Sequence, residues 1–193
     1  MKFLIHFLLV FVSGFVFAQD NKCKLGNDGH NLQIITYLDL PCIASASPHY
    51  TTVFYTYSSG CPNGLADIDK VLKFEEKFKT SLYIVMVESQ INRNLKNGIE
   101  LLRGKDPNVK ILILNDHVYG KSTRKRNAQF ISEISSLSKQ FNPGYGHFIV
   151  MNKRGEFLKK PLITPDTLLN EKQDWMTRDQ FINGAIESFL DRK

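Results

Sequence analysis

The sequence predicts a single α/β domain in which a central sheet is covered by helices on both faces. Three observations support this prediction. Apolar or β-branched runs alternate with amphipathic segments of helical spacing, Gly and Pro residues separate most of them, and 193 residues suffice for one domain with its own core. Strands that alternate with helices form parallel sheets, because the crossover returns each strand in the same direction.

The first eighteen residues have the layout of a signal peptide. Lys2 precedes an interrupted apolar stretch that ends at Val16-Phe17-Ala18, and this stretch is shorter than the roughly 20 residues that span a bilayer. We expect cleavage before Gln19 and export to the periplasm, the cell envelope or the medium, with no stable membrane insertion afterwards. A lipid anchor is not expected, because Cys23 lies beyond the cleavage site.

Residues 19–50 are expected to form an N-terminal extension with one or two strands, one of them within Leu32 to Leu38. The α/β domain proper is expected to occupy residues 51–193. It opens with the β-branched and aromatic run from Thr51 to Tyr57, which is typical of a buried strand. The turn Ser58-Ser59-Gly60 follows, and then a helix with its apolar positions at Leu65, Ile68, Val71, Leu72 and Phe78.

The remaining elements continue the alternation. Strands are expected at Ser81 to Val87, Lys110 to Leu114, His147 to Met151 and Glu156 to Leu158, the last two joined by a hairpin turn at Gly155. Three further helices are expected, with apolar faces at Ile91, Leu95, Ile99 and Leu102; at Phe130, Ile131, Ile134, Leu137 and Phe141; and at Phe181, Ile182, Ala185, Ile186, Phe189 and Leu190, the last with a capping box from Thr177 to Gln180.

Charge and motifs exclude several function classes. The formal net charge is +6, and the basic residues are spread along the chain except at Lys121 to Arg126, which we interpret as a solvated helix start in preference to an acidic-partner or nucleic-acid patch. With export, nucleic acid is not an expected partner. No phosphate-binding glycine loop and no metal-ligand spacing is present, so no cofactor or metal is predicted.

The three cysteines are Cys23, Cys42 and Cys61. An oxidising compartment permits disulfides, and an odd number leaves at least one thiol unpaired within the monomer. Cys23 and Cys42 flank the polar N-terminal segment and could close it with a disulfide. That pairing would leave Cys61 free.

From about Thr51 onward the chain resembles the thioredoxin superfamily, and most of all its exported thiol-disulfide and peroxiredoxin-like branches. The resemblance rests on the order of elements and on two stretches, Val53 to Phe78 and Gly146 to Leu158. The first is similar to the family's strand, active-site turn and helix, and the second to its C-terminal hairpin. The family's inserted helix and strand would correspond to residues 91–114.

The resemblance implies an active-site turn at Cys61. In the family this turn is Cys-x-x-Cys at a helix N-terminus, where the first thiol is activated and the second resolves the mixed disulfide. One register reads Cys61-Pro62-Asn63-Gly64, with Cys61 as nucleophile; the other reads Ser58-Ser59-Gly60-Cys61, with Cys61 as resolving thiol. We prefer the first, because Pro62 suits the first turn of a helix.

Two further family positions differ in this chain. Gly146 stands where the family has a cis-proline before the hairpin strand. A peroxiredoxin-like site would place a hydroxyl at Ser58, which is present, and a proline at Phe54 and an arginine near Gly146, which are not. The resemblance therefore implies thiol-disulfide exchange more directly than peroxide reduction.

The functional prediction is an exported thioredoxin-like protein that reacts with protein thiols or disulfides through the single thiol of Cys61. Resolution would come from Cys23, Cys42 or a partner thiol. Two alternatives remain open from the sequence: an interaction module that keeps the fold without catalysis, and a peroxide reductase.

Overall fold

The computed structural model describes residues 32–135 and 145–160, together with Ile186 and Leu190. The signal peptide, Cys23, the last predicted helix apart from those two residues, and the predicted core positions Leu137 and Phe141 lie outside the described residues. Among the residues described, no helix combines the length and apolar character needed to cross a membrane.

Six strands form one mixed sheet in the order β1-β4-β3-β2-β5-β6. The neighbours from β1 through β4 and β3 to β2 are parallel, and β5 pairs antiparallel with both β2 and β6. The strands are β1 (Leu32–Ile35), β2 (Thr51–Tyr57), β3 (Thr80–Met86), β4 (Ile111–Leu114), β5 (Phe148–Asn152) and β6 (Phe157–Lys159).

Helices cover both faces. They are α1 (Leu40–Ala46), α2 (Pro62–Val71), α3 (Phe74–Lys77), α4 (Arg93–Lys105), α5 (Asp116–Tyr119) and α6 (Thr123–Ser135). The α/β prediction is confirmed, and α4 and β4 lie where a helix and a strand are predicted within residues 91–114. In α4, Leu95 and Leu102 are buried on one face, as the helical spacing of its apolar residues predicts.

The strand period of two divides the core between the two faces. Val53 and Tyr55 of β2 point to one face, where they pack with Ile68 and Val71 of α2. Phe54 points to the other face and packs with the apolar side of α1 and α6. The buried residues Ile186 and Leu190 belong to the core on the α2 face.

The helix after Cys61 is two helices and not the single one predicted. α2 ends at Val71, and α3 begins at Phe74 after a break at Leu72 and Lys73. The break brings Phe74 into the core, where its ring lies 5.9 Å from that of Phe148 and 5.9 Å from that of Phe78. Aromatic burial therefore takes priority over helix continuation at this point.

The strand predicted within Leu32 to Leu38 is confirmed as β1. It ends at Ile35, because the Asp39 carboxylate accepts hydrogen bonds from the backbone N–H and the hydroxyl of Thr36 at 2.7 and 2.9 Å and closes a helical turn. Pro41 then lies at the start of α1, a position that suits proline. Neither α1, which lies where only strands are expected, nor the short helix α5 is among the predicted elements.

The C-terminal hairpin forms as expected. Gly155 has a φ of +76°, and a Cβ there would lie 2.9 Å from a side-chain atom of Pro41. The turn thus requires glycine for both its backbone conformation and its contact with α1.

Candidate functional site

Cys61 lies at the N-terminal end of α2, four residues beyond the end of β2. It is the N-cap residue, Pro62 is the first helical residue, and the Cys61 carbonyl accepts from the Leu65 N–H at 3.1 Å. The Cys61 thiol is free and partly exposed. In the preferred register Cys61 takes the first position of the turn, and at a helix N-terminus its thiol is close to the exposed backbone N–H groups.

Gly64 occupies the position of the second cysteine in that register. A Cβ built there would lie 3.4 and 3.5 Å from ring atoms of Tyr57 and 3.6 Å from the Ser58 carbonyl oxygen. These are ordinary van der Waals distances. The backbone could therefore accept a side chain at residue 64, and the absence of a second thiol is a property of the sequence and not of a steric obstacle.

Glu88 binds the turn that precedes Cys61. It lies two residues beyond the end of β3 and is 1% exposed, and its Oε1 accepts from the Ser59 N–H at 2.7 Å and from the hydroxyls of Ser58 and Ser59 at 2.9 and 3.0 Å. The Ser58 carbonyl in turn accepts from the Cys61 N–H at 3.0 Å. One carboxylate oxygen thus holds the turn at the end of β2 against the end of β3.

Two buried polar atoms near this turn have no hydrogen-bond partner among the described residues, Glu88 Oε2 and the Tyr57 hydroxyl. Burial, and then the negative charges of Glu88 and Cys61, raise the pKa of Tyr57 to about 12. Both charges therefore act on the Tyr57 hydroxyl. Buried groups of this kind commonly bind an ordered water.

Tyr145 and Gly146 precede β5, the strand on the other side of β2, and Gly146 pairs with the end of β2. The Gly146 N–H donates to the Thr56 carbonyl at 2.9 Å, and the His147 N–H donates to the Thr56 hydroxyl at 2.9 Å. Burial, followed by the charges of Glu88 and Cys61, raises the pKa of Tyr145, and Arg124 opposes them. The negative charges of Glu88 and Cys61 therefore act on the Tyr145 hydroxyl, as they do on that of Tyr57.

Gly146 does not reproduce the geometry of a cis-proline. Its φ is +87°, and no cis peptide bond occurs in the described part of the chain. A proline could not donate the hydrogen bond that the Gly146 N–H makes to Thr56. In this chain the pairing between β2 and the segment before β5 is therefore continued by backbone hydrogen bonds.

Arg126 lies at the C-terminal ends of β3 and β4 and is 0% exposed. Its guanidinium donates to the carbonyls of Val87 at 2.9 Å and Glu88 at 3.4 Å, to those of Leu114 and Gly120, and to the Asp116 carboxylate at 2.6 Å. It joins the ends of β3 and β4 to α5 and α6. The interpretation of residues 121–126 as a solvated helix start is thus right for exposed Lys121, Arg124 and Lys125 and wrong for Arg126.

The predicted site residues divide into two groups. Ser58, Cys61 and Pro62 lie together, and Gly146 pairs with Thr56 near the end of β2. Cys42 lies on α1, which packs on the opposite face of the sheet from α2, and it is disulfide-bonded. Cys42 therefore offers no free thiol beside Cys61, and Cys23 lies outside the described residues. The described residues contain no cluster of side chains that could hold a metal.

Sequence reasoning missed Glu88, Tyr145 and Arg126. A signal existed for two of them. Glu88 is the first charged residue after a buried strand and lies at the same edge of the sheet as Cys61. Arg126 lies four residues before Phe130, on the apolar face of α6, where a charged side chain needs buried partners.

Comparison with known proteins gives only distant likenesses. No protein family profile matches the chain, and no curated protein matches it. Among solved structures, the N-terminal domain of PilB from Neisseria gonorrhoeae is 13% identical with a TM-score of 0.39, covering 69% of this chain and 83% of that one. A candidate thiol-disulfide oxidoreductase from Bacteroides vulgatus has the same identity and TM-score, covering 69% and 78%. Copper-bound yeast Sco1 is 13% identical with a TM-score of 0.36, covering 72% and 85%.

Proposed function

We propose that this chain is an exported thiol-disulfide exchange protein that acts through the single thiol of Cys61. The observation that carries the proposal is the position of Cys61, a free and partly exposed thiol at the N-terminal end of α2, on a turn that Glu88 holds in place. Thiols at helix N-termini form thiolates more readily than other thiols, and the thiolate is the nucleophile in exchange.

The reaction consists of two exchanges without net oxidation. The Cys61 thiolate attacks one sulfur of a substrate disulfide, forms a mixed disulfide with it, and releases the other substrate sulfur as a thiolate that takes a proton from water. A thiol of a second molecule then attacks the mixed disulfide and releases Cys61 as a thiolate. The resolving thiol comes from outside the motif because residue 64 is glycine.

Disulfide exchange is favoured over peroxide reduction by the orientation of Ser58. A peroxide site of the type that the resemblance implies would use this hydroxyl to orient the substrate. Here the Ser58 hydroxyl donates to Glu88 Oε1 at 2.9 Å, so its proton is directed towards the carboxylate.

Export is part of the proposal, and the state of Cys42 supports it. Cys42 is disulfide-bonded, and structural disulfides persist in oxidising compartments. Expression in a bacterial host followed by N-terminal sequencing of the exported product tests this part. We expect a mature chain that begins at Gln19, and retention of the first eighteen residues in the cytoplasm would contradict it.

Trapping of the mixed disulfide tests the exchange activity. The purified protein is incubated with 2-hydroxyethyl disulfide and then with glutathione, and intact mass is measured at each stage. We expect one adduct that maps to Cys61 and that glutathione removes. The Cys61→Ser variant is the control and should form none. If the wild-type protein forms no adduct, the exchange proposal is wrong and an interaction module without catalysis is the better account.

A further inference from the structure

Four basic side chains lie on or next to the segments that hydrogen-bond to the Cys61 turn or to Glu88. Arg93, Lys121, Arg124 and Lys125 are exposed, and we call these four residues the basic rim. None of them is ion-paired with an acidic side chain in the part of the chain that the structure describes. Their positive charge is therefore available to a molecule that approaches this edge of the sheet.

Residues next to the basic rim are hydrogen-bonded to the Cys61 turn or to Glu88 from two sides. On one side, the Ser59 hydroxyl donates to the carbonyl of Asn94, the residue after Arg93, at 3.0 Å. On the other side, Arg126 donates to the Glu88 carbonyl at 3.4 Å, and Glu88 binds the Ser59 N–H at 2.7 Å. The first turn of α4 thus contacts the turn that presents Cys61, and the first turn of α6 contacts Glu88, which binds that turn.

The two acidic groups among these contacts, Glu88 and Asp116, are largely buried. Glu88 is 1% exposed and accepts three hydrogen bonds from Ser58 and Ser59. Asp116 is bound by the Ser89 hydroxyl at 2.6 Å and by Arg126 at 2.6 Å. The positive charge of Arg124 also lowers the pKa of Tyr145, the residue on which the Cys61 charge acts. Burial, which is the larger effect, raises this pKa.

We propose that the preferred substrates of Cys61 are disulfides that carry negative charge next to the reacting sulfurs, such as disulfides flanked by Asp or Glu. This inference rests on the proposed exchange activity and names its substrate class. The basic rim raises the local concentration of such molecules and stabilises their encounter with the thiolate. The exchange step itself is unchanged, with the substrate thiolate as leaving group.

The test compares three small disulfides of similar size: anionic 3,3′-dithiodipropionate, neutral 2-hydroxyethyl disulfide and cationic cystamine. The rate of adduct formation at Cys61 of the full chain is measured near neutral pH and divided by the rate of each reagent with the uncharged thiol N-acetylcysteinamide. We expect the normalised rate to be about tenfold higher for the anionic reagent than for the cationic one at about 0.01 M salt. The difference should largely disappear at about 1 M salt, where charges are screened within about 3 Å.

Two charge-reversal variants locate the effect. Arg124→Glu should reduce the preference for the anionic reagent several-fold. Lys77→Glu changes the net charge by the same amount. Lys77 precedes the N-terminal end of β3, whereas Cys61 follows the C-terminal end of β2, so this variant should leave the preference unchanged. Equal normalised rates for the three reagents, or equal effects of the two variants, would overturn this inference and leave the exchange activity standing. Failure of all three reagents to react would overturn both.

Discussion

At the turn before Cys61, three donors converge on one oxygen of Glu88, a carboxylate that is almost completely buried. Hydrogen bonds to a charged acceptor contribute more than neutral ones, and a buried donor that loses its acceptor retains its desolvation cost. The conformation of Ser58 and Ser59 therefore depends on this side chain. Through the Ser58 carbonyl, the position of the Cys61 backbone depends on it as well.

Glu88→Ala should destabilise the protein by about 3 kcal/mol and slow the reaction of Cys61 with disulfides, because the Ser59 N–H and both hydroxyls lose their acceptor. Glu88→Gln keeps one oxygen at the same reach and should cost about 1 kcal/mol, with a rate close to wild type. Urea unfolding and the adduct rate measure the two effects. Equal losses in both variants would show that the negative charge, and not the position of the acceptor, is what matters.

Gly64→Cys should convert the single thiol into a dithiol, in which Cys61 and the introduced thiol oxidise to a disulfide within the turn. The contacts of a Cβ at residue 64 with Tyr57 and Ser58 lie in the ordinary range, so the helix start should not shift. Mass spectrometry after mild oxidation should find the loss of two hydrogens and no free thiol. Gly104→Cys is the matched control, since its Cβ meets no atom within 4 Å and its thiol should stay free. Two free thiols in Gly64→Cys would contradict the assigned register.

At the scale of elements, α4 lies close to the turn that bears Cys61 because residue 98 is glycine. A Cβ at Gly98 would lie 2.7 Å from Met86 Cε and 3.1 Å from Ser59 Cβ. The Met86 side chain is flexible and can move, but Ser59 is held by Glu88. The close approach of α4 to the turn therefore depends on residue 98 being glycine, which has no side chain.

Gly98→Ala should destabilise the protein by about 1–3 kcal/mol through overpacking. Gly104→Ala lies in the same helix with open space around its Cβ, and it should stabilise by up to about 1 kcal/mol through helix propensity. Opposite signs in thermal or urea unfolding are the expected result. Stabilisation by both variants would contradict the close contact between α4 and Ser59.

Asp116 is the charged partner of the fully buried Arg126. Burial alone would raise the pKa of Asp116, but the hydrogen bonds from Ser89 and Gln90 and the charge of Arg126 lower it below its ordinary value of 3.8. A carboxylate with a lowered folded-state pKa stabilises the protein above its ordinary pKa, and this stabilisation is lost as the pH falls through the folded-state value. Asp116 should therefore contribute to unfolding at acid pH.

Asp116→Asn should cost about 3 kcal/mol near neutral pH, because Arg126 keeps its charge in a buried position without a counter-ion. The dependence of stability on pH below about 4 should also become weaker than in wild type. Glu100→Gln is the control, since Glu100 is 65% exposed and pairs with exposed Lys96 at 3.9 Å. It should cost less than about 0.5 kcal/mol. Similar costs for the two variants would contradict the structural role given to Arg126.

At the scale of the whole molecule, the sequence predicts the order of strands and helices well. β2 has the predicted bounds, and β4 begins one residue later than expected. Strands buried on both faces produce continuous apolar runs, which are recognisable without knowledge of their neighbours. The position of Cys61 follows from the same pattern, because the thiol comes after such a run and a three-residue turn, and before a helix with proline at its first residue.

The supporting residues could not be predicted in the same way. Glu88 acts on Cys61 only because β3 lies beside β2, and strand pairing is a property of the fold and not of a local pattern. Arg126 directly follows the exposed basic residues Arg124 and Lys125, so the local charge pattern predicts a solvent-exposed side chain. Its burial depends on carbonyls from three separate segments that converge at the end of the sheet.

The reactivity of Cys61 in the folded protein, compared with the same thiol in the unfolded chain, tests the central claim most directly. The rate of alkylation by iodoacetamide at Cys61 is measured near neutral pH in buffer and in urea, with the Cys42 disulfide intact. Because thiols at helix N-termini form thiolates more readily than those in unstructured chains, the folded protein should react about tenfold faster. An equal or lower rate in the folded protein would show that Cys61 is an ordinary or shielded cysteine, and would contradict the exchange function.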